Sequence, residues 1–238
     1  MICYHGMPIT PETAAVEAVR ARHAFVSFSC PQQIATAIEF AASFAFDNGA
    51  FNAWKKGKPI KDWRPFYEWV GKYRRVPSLD WTVIPDVIDG NEADNDALLR
   101  EWPFSKWEGA PVWHLHESLD RLAKLAADWP RVCLGSSAEY KTVGSPLWEK
   151  RMDAAMAVVC DAEGRPGVKL HGLRMLSVKV FPRFPFASAD STNVGRNVGI
   201  DARWKGPYPP AGKEARARVI RERIEAFNAP AAYDLSLG

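Results

Sequence analysis

The stretch PVWHLHESLDRLAKLAADWPRVCLGSS, residues 111–137, places a strand, a helix and a second strand in direct succession. The largely apolar runs at 111–116 and 131–134 predict the two strands. Between them, Ser118 can cap a helix whose apolar residues share one face: Leu119, Leu122, Leu125, Ala126 and Trp129. This β-α-β order predicts two parallel strands joined by a helical crossover.

The same alternation continues along the chain in both directions. Apolar runs rich in β-branched and aromatic residues predict further strands at 1–5, 24–28, 40–46, 81–84, 168–173 and 185–189. Eight strand units in 238 residues predict an α/β fold with a single domain over residues 1–238, a compact (β/α)8 barrel of the TIM type. A basic helix at about 212–228 follows. A doubly wound open sheet is the alternative, but no glycine-rich dinucleotide motif follows an early strand.

Composition narrows the class of protein without naming its chemistry. Hydrophobic residues make up 47% and charged residues 25% of the chain, which excludes a disordered or fibrous protein. The 31 Lys and Arg against 28 Asp and Glu give a net charge of +3, too small to indicate nucleic-acid binding by itself. No apolar run is long enough to span a membrane, and the first residues do not resemble a signal peptide. We therefore expect a cytoplasmic protein without membrane contact.

The four cysteines are far apart in the sequence. They stand at Cys3, Cys30, Cys133 and Cys160, and no two have the spacing of a zinc or redox motif. Each lies in or beside an apolar run. We expect buried free thiols in a reducing compartment.

Polar residues follow the predicted strands, where α/β barrels carry their chemistry. Three carboxylates from three different strands, Asp47, Asp86 and Asp190, are expected to converge at one barrel mouth. Such a set suits nucleophilic and acid–base work on a glycosidic bond. It also suits a divalent metal, for which His116 beside Asp86 and Asp47 is the alternative set, so the carboxylates alone leave both open.

A basic, aromatic segment lies between the third and fourth strands. Its cations are candidates for phosphate contacts: Lys55, Lys56, Lys58, Lys61 and Arg64. The interleaved Trp54, Trp63 and Tyr67 are candidates for stacking on bases. The same composition also fits a solvated surface, and both interpretations stay open.

With these residues in place, the sequence resembles the tRNA-guanine transglycosylase superfamily. Asp47-Asn48-Gly49-Ala50-Phe51 looks like the Asp-Ser-Gly-Gly-Phe motif of that family. Asp86 stands where the family's base-binding aspartate follows a later strand. The loop at 134–139 is similar to the glycine-rich loop that contacts the base.

The spacing near the end of the chain adds to this resemblance. Arg196 follows Asp190 by six residues, as an arginine follows the nucleophilic aspartate of the family. The stretch 169–173 is similar to the apolar, glycine-containing strand before that nucleophile. The ordered set of motifs covers roughly residues 23–200.

Departures from the family pattern indicate which branch the chain resembles. The cysteine-rich zinc motif of the tRNA enzymes has no counterpart, and the barrel leaves no room for its insert. Ala50 replaces a motif glycine and Asn52 replaces the usual glutamine. A short, zinc-free version looks more like the DNA-modifying branch of phages and bacterial islands, the deazapurine DNA modification protein A group, which exchanges guanine in DNA for a 7-deazaguanine base.

The resemblance implies a double displacement. Asp190 would attack the sugar and form a covalent glycosyl intermediate, Asp47 would handle the proton of the leaving and entering bases, and Asp86 would bind the base edge. The remaining residues implied to bind substrate are Asn48, Gly49, Phe51, His116, Gly135, Ser136, Leu173 and Arg196.

The partners implied are DNA with a flipped guanine and a free 7-deazaguanine base such as 7-cyano-7-deazaguanine, with no cofactor and no metal. The compartment would be the host cytoplasm if a phage encodes the chain. An RNA-acting relative of the tRNA enzymes, a nucleoside or glycoside hydrolase barrel and a non-catalytic nucleic-acid module are the alternatives.

Overall fold

Parallel strands form a nearly closed barrel surrounded by helices in the computed structural model, which describes residues 1–199 and 210–237. The strand segments are β1 (Ile2–Gly6), β2 (His23–Ser27), β3 (Ser43–Asp47), β4 (Leu79–Val83), β5 (Gly109–Ala110), β6 (Val112–His114), β7 (Arg131–Gly135), β8 (Lys169–Gly172) and β9 (Ser188–Ser191). The helices are α1 (Glu12–Val19), α2 (Ile34–Phe40), α3 (Ala50–Lys55), α4 (Arg64–Tyr73), α5 (Glu92–Glu101), α6 (Leu119–Asp128), α7 (Pro146–Val159), α8 (Asn193–Asn197) and α9 (Gly212–Glu225).

Pro111 explains why nine strand segments make a barrel of eight positions. The sheet order is β5-β4-β3-β2-β1-β9-β8-β7-β6, so β5 and β6 lie at the two edges, yet only Pro111 separates them in the chain. Proline has no N–H to give to a ladder. β5 pairs with β4 and β6 pairs with β7, so the interrupted strand 109–114 closes the ring. The predicted α/β barrel of the TIM type is therefore confirmed.

Side chains that point inward fill the barrel. The interior cluster consists of Tyr4, Phe25, Ala45, Trp81, Val83, Ala110, Val112 and Cys133. The Trp81 ring lies at its centre, with ring centroids 5.9 Å from Tyr4, 5.8 Å from Phe25 and 4.6 Å from His171. Side chains on the outer face pack against the helices in two larger clusters. Because the interior is packed, ligands can reach only the barrel ends.

The β6-α6-β7 unit folds as its sequence pattern predicts. Ser118 caps α6, where its Oγ accepts a hydrogen bond from the Arg121 N–H at 3.1 Å. Leu122 and Leu125 are buried on the face that meets the barrel. The hydroxyl of Ser145 caps α7 in the same way.

Several element boundaries differ from the sequence prediction. The third strand begins at Ser43, because residues up to Phe40 belong to α2, and the last strand is 188–191 and includes Asp190. Helices α4 and α5 were not predicted. In α4 the apolar residues Phe66, Trp69, Val70 and Tyr73 recur at helical spacing, but no side chain caps the helix and the stripe lies within the basic, aromatic segment. The one buried residue of α5 is polar.

The chain ends agree broadly with expectation. Helix α9 ends at Glu225, three residues before the predicted limit, and packs against α1.

All four cysteines are free, but Cys30 and Cys160 are only partly buried. None of the described helices is long and apolar enough to cross a membrane.

Candidate active site

A cavity of about 370 Å³ opens at the carboxyl ends of the barrel strands. It falls in the usual size range of small-molecule sites. Many of the residues selected from the sequence line it: Asp47, Asn48, Phe51, Lys55, Asp86, Gly135, Ser136, Leu173, Asp190 and Arg196. The fold thus gathers these side chains, which span nearly 150 positions of sequence, around one space.

Asp47 is the last residue of β3, and it lines the cavity. Gly49 adopts φ +80°, and a Cβ there would lie 3.0 Å from the backbone nitrogen of Ser29, so glycine makes this turn into α3 possible. Burial raises the pKa of the Asp47 carboxyl to about 6, although a hydrogen bond from Ser27 acts to lower it. The neighbouring charge of Asp190 raises that pKa further. Asp47 can therefore exchange a proton near neutral pH.

Asp86 is buried and held on both oxygens. Its Oδ1 accepts a hydrogen bond from Asn48 Nδ2 at 2.6 Å, and its Oδ2 lies 2.8 Å from His114 Nε2. Because a carboxylate can only accept, His114 Nε2 carries the proton. Asn48 in turn accepts from the Ala50 N–H at 2.8 Å. This chain of bonds fixes the plane of the Asp86 carboxylate at the cavity wall.

Asp190 lies in β9 with one oxygen engaged and the other open. Its Oδ1 accepts from the Arg174 backbone N–H at 2.8 Å and lies 3.3 Å from His171 Nε2. Burial lowers the pKa of His171, so its ring is neutral at pH 7. His171 Nδ1 lies 2.8 Å from the Ser188 hydroxyl, which leaves Nε2 to donate to Asp190.

The second oxygen of Asp190 faces the cavity. Among the described residues none donates a hydrogen bond to Oδ2. This oxygen is also not one of the fully buried polar atoms that lack a partner, so it is accessible from the cavity. An oriented carboxylate with one accessible oxygen is suited to act as a nucleophile.

Gly135, the last residue of β7, and Ser136 after it also line the cavity. Gly135 lies beside His114 across the β6–β7 pair, and a Cβ on it would come 3.0 Å from His114 Nδ1. Glycine at this position therefore leaves His114 free to meet Asp86. The Ser136 hydroxyl accepts from Trp148 Nε1 at 2.8 Å, which anchors the loop to α7.

His114 takes the place that the sequence interpretation gave to His116. Strand β6 ends at His114, and the chain turns there, with the Glu117 N–H donating to the His114 carbonyl at 2.8 Å. The ring nitrogens of His116 lie 2.7 Å from the Ser137 hydroxyl and 3.1 Å from the Gly90 carbonyl, and His116 does not line the cavity. Within residues 1–199 and 210–237, no group of three or more His, Cys, Asp or Glu could hold a metal ion.

Only one cation of the basic segment lines the cavity, Lys55. The side chains of Lys56, Lys58 and Lys61 are exposed beyond it. Arg64 is held by Asp62 through two bonds of 2.9 Å and 2.7 Å.

The aromatic residues of that segment divide in the same way. Trp54 is 39% exposed, and its ring lies 5.7 Å from that of Phe51 at the cavity. Trp63 is only 5% exposed and Tyr67 packs against Trp102, so the expected stacking role is corrected for Trp63, whose ring is in the core.

Among the described titratable residues of the cavity and its support, sequence reasoning did not select His114, Lys141, His171 and Arg174. His114 and His171 both lie on predicted strands. Inward-facing polar residues near a strand end were the available signal for these two. Lys141 and Arg174 lie in loops, where no spacing marks them.

The site thus combines a carboxyl with a pKa of about 6, a fixed carboxylate at the wall and an oriented carboxylate with an open oxygen. Comparison of the chain with protein-family models, curated proteins and solved structures gave no match.

Proposed function

We propose that this protein is a base-exchange transglycosylase that replaces guanine in DNA by a 7-deazaguanine base. The observation that supports it best is the presence of Asp190 and Asp47 in one cavity, one with an open oxygen and the other with a raised pKa of about 6. A retaining displacement at a sugar carbon needs a nucleophile, for which Asp190 is suited, and a proton donor and acceptor, for which Asp47 is suited.

In the first half-reaction Asp190 Oδ2 would attack the anomeric carbon of the target deoxyguanosine. The bond from that carbon to the base nitrogen breaks, and its electron pair leaves with guanine. Asp47, protonated, would deliver a proton to the departing base. The product is an ester between Asp190 and the sugar.

In the second half-reaction the incoming base would lose its proton to Asp47 and attack the same carbon. The ester bond breaks, and Asp190 returns to the carboxylate. One glycosidic bond replaces another, so no energy-rich cofactor is required. Two displacements on the same centre retain the configuration of the sugar.

The cavity wall fits recognition of a purine edge. Asp86, oriented by Asn48 and His114, would accept hydrogen bonds from N–H groups of the base. Phe51 adds apolar surface to the cavity lining. A base within a duplex cannot reach this cavity, so a flipped or single-stranded target is expected.

The experiment is a base-exchange assay with purified protein, guanine-containing DNA and isotopically labelled guanine, followed by nucleoside mass spectrometry. A second reaction contains 7-cyano-7-deazaguanine, and a third replaces DNA by transfer RNA. We expect label to enter DNA without net loss of base. Release of guanine without incorporation would instead identify a hydrolase, and incorporation into RNA alone would identify a tRNA-type enzyme.

Variants tie the activity to the site. We expect Asp190→Ala to abolish exchange and Asp47→Asn to slow it by about a hundredfold or more. Asp120→Asn, an exposed aspartate on α6, is the matched control and should exchange at the wild-type rate. Full exchange by Asp190→Ala, with the fold unchanged by circular dichroism, would exclude the proposed role.

A further inference from the structure

Arg174 is a cation of the cavity to which no sequence motif assigned a role. It lies two residues after β8 with φ +60°, in the left-handed region that residues other than glycine rarely adopt. Its backbone N–H donates to Asp190 Oδ1 at 2.8 Å. The backbone, not the side chain, thus supports Asp190, and the guanidinium is available for another task.

The guanidinium is held over the cavity. Its central carbon lies 3.9 Å from the centre of the Phe51 ring, which is a face-on cation–π contact. The residue remains exposed, and none of the described carboxylates forms an ion pair with it. No hydrogen bond from the guanidinium to a described residue accompanies this contact, so its N–H groups remain able to donate to a ligand.

Three further cations line the same cavity from different elements: Lys55 on α3, Lys141 after β7 and Arg196 on α8. None of the three has an ion-pair partner among the described carboxylates. Partial desolvation at the cavity lowers the pKa of the Arg174 guanidinium, and the charge of Arg196 lowers it further, while the charges of Asp190 and Asp47 raise it. The cavity thus has four cations, two of them arginines that repel each other, and three carboxylates. This excess of positive charge favours a ligand with an anionic group.

We infer that Arg174, with Arg196 beside it, binds the phosphate ester of the nucleotide whose base is exchanged. The inference rests on the proposed function, because the reacting sugar must lie against Asp190, to which Arg174 is anchored. The planar donor fork of arginine matches two oxygens of a phosphate ester. The substrate would accordingly be a nucleotide unit, not a free nucleoside.

Binding of a fluorescent single-stranded oligothymidylate with one deoxyguanosine tests this inference. Fluorescence anisotropy is measured over a range of salt concentrations for the wild type, Arg174→Met and Arg174→Lys. Lys179→Met, an exposed cation outside the cavity, is the control. We expect Arg174→Met to weaken binding about tenfold and to reduce the salt slope by about one, whereas Arg174→Lys keeps the slope and Lys179→Met behaves as the wild type.

Unlabelled competitors identify the source of the phosphate. Deoxyguanosine, its 5′-monophosphate and its 3′-monophosphate compete with the oligonucleotide on the wild type and on Arg174→Met. On the wild type, but not on Arg174→Met, a monophosphate should compete better than deoxyguanosine. Whichever of the 5′- and 3′-monophosphates competes better identifies the ester that Arg174 binds. Equal competition by all three on the wild type would overturn the inference, as would an unchanged affinity and salt slope in Arg174→Met.

The result is separable from that of the exchange assay. If the wild type exchanges no base but Arg174→Met loses affinity and salt slope, the phosphate site stands and the proposed reaction fails. If the wild type exchanges guanine while Arg174→Met binds as the wild type does, the phosphate site fails and the reaction stands. Thermal unfolding of each variant shows whether the fold is kept.

Discussion

Asp47 shows how the barrel controls a single protonation. Its carboxyl ends β3 at the cavity, and burial raises its pKa from 3.8 to about 6. A carboxyl with a higher pKa in the folded state than in the unfolded state favours folding only while it is protonated. The stability it contributes is present below about pH 4 and is lost as the pH rises through about 6.

Asp47→Asn removes this ionisation. Relative to the wild type, the variant should gain up to about 3 kcal/mol in free energy of unfolding between pH 4 and pH 7.5. Urea denaturation at the two pH values measures the difference. Asp120→Asn, with its side chain in solvent, should show no such change. A difference between Asp47→Asn and the wild type that does not vary with pH would contradict the raised pKa.

The sequence predicts the carboxylates of the site better than their supporting residues. Asp47 and Asp86 follow apolar runs directly, so their position at the barrel mouth follows from the strand assignment. His114 and His116 alternate, and which of them enters the cavity depends on where β6 ends. Arg174 reaches Asp190 through a backbone conformation that no residue pattern encodes.

At the scale of elements, the β6–β7 pair couples Gly135 to the site. A methyl group there must displace His114, because the added Cβ would lie 3.0 Å from Nδ1. Gly135→Ala should therefore lengthen the hydrogen bond between His114 and Asp86 and lower the exchange rate at least about tenfold. The added methyl group should also lower the free energy of unfolding by about 1–2 kcal/mol. Steady-state exchange kinetics with guanine measure the effect.

Gly71→Ala is the matched control for the same added methyl group. In α4 the new Cβ would meet only Phe104, at 3.8 Å. It should raise the free energy of unfolding by about 0.5–1 kcal/mol through helix propensity and leave exchange unchanged. A loss of exchange equal to that of Gly135→Ala would show that added methyl groups act non-specifically.

Helix prediction succeeds where an apolar stripe and a capping residue occur together, whereas α4 has the stripe at 66–73 but no capping side chain. Helix α6 is found with its cap because Ser118 and a single apolar stripe mark it. Helix α5 is missed because its capping box, Asn91 with Asp94, precedes residues of which only Asn95 is buried. The two-residue strand β5, Gly109–Ala110, is missed because no apolar run of strand length precedes Pro111, where the predicted strand begins.

Across the whole molecule, Glu225 joins the last helix to the beginning of the chain. Its carboxylate lies 3.0 Å from His5 Nε2 in β1 and accepts from Arg22 Nε at 2.9 Å. Burial acts to raise the pKa of Glu225, but the hydrogen bonds from His5 and Arg22 outweigh it and the pKa is lowered. A lowered carboxyl pKa contributes stability above the ordinary value of 4.5, and this contribution is lost as the pH falls through the folded-state pKa.

Glu225→Gln should accordingly lower the free energy of unfolding by about 1 kcal/mol at pH 7, and the loss should disappear well below pH 4.5. Chemical denaturation over this pH range measures it. Glu163→Gln removes an exposed partner of Arg165 and should have almost no effect. A larger deficit of Glu225→Gln at acidic pH than at pH 7 would contradict the assigned sign.

The architecture as a whole is the feature most fully predicted from the sequence. Eight apolar runs separated by helical stretches suffice to define a parallel barrel, because each run can bury itself only against its neighbours and the crossover helices. The chemistry depends on hydrogen-bond distances around Asp86 and Asp190, which lie between 2.6 and 3.3 Å, and on the burial of Asp47. Those distances arise only when strands far apart in sequence close into the ring.

The covalent intermediate on Asp190 tests the proposed function most directly. Wild-type protein is incubated with a guanine-containing oligonucleotide without added base, denatured and analysed by intact mass spectrometry with peptide mapping. We expect a protein species heavier by the mass of the oligonucleotide less one guanine, with the adduct attached at Asp190 and absent from Asp190→Ala. Base exchange that proceeds in Asp190→Ala, or an adduct that maps to another residue, would contradict it.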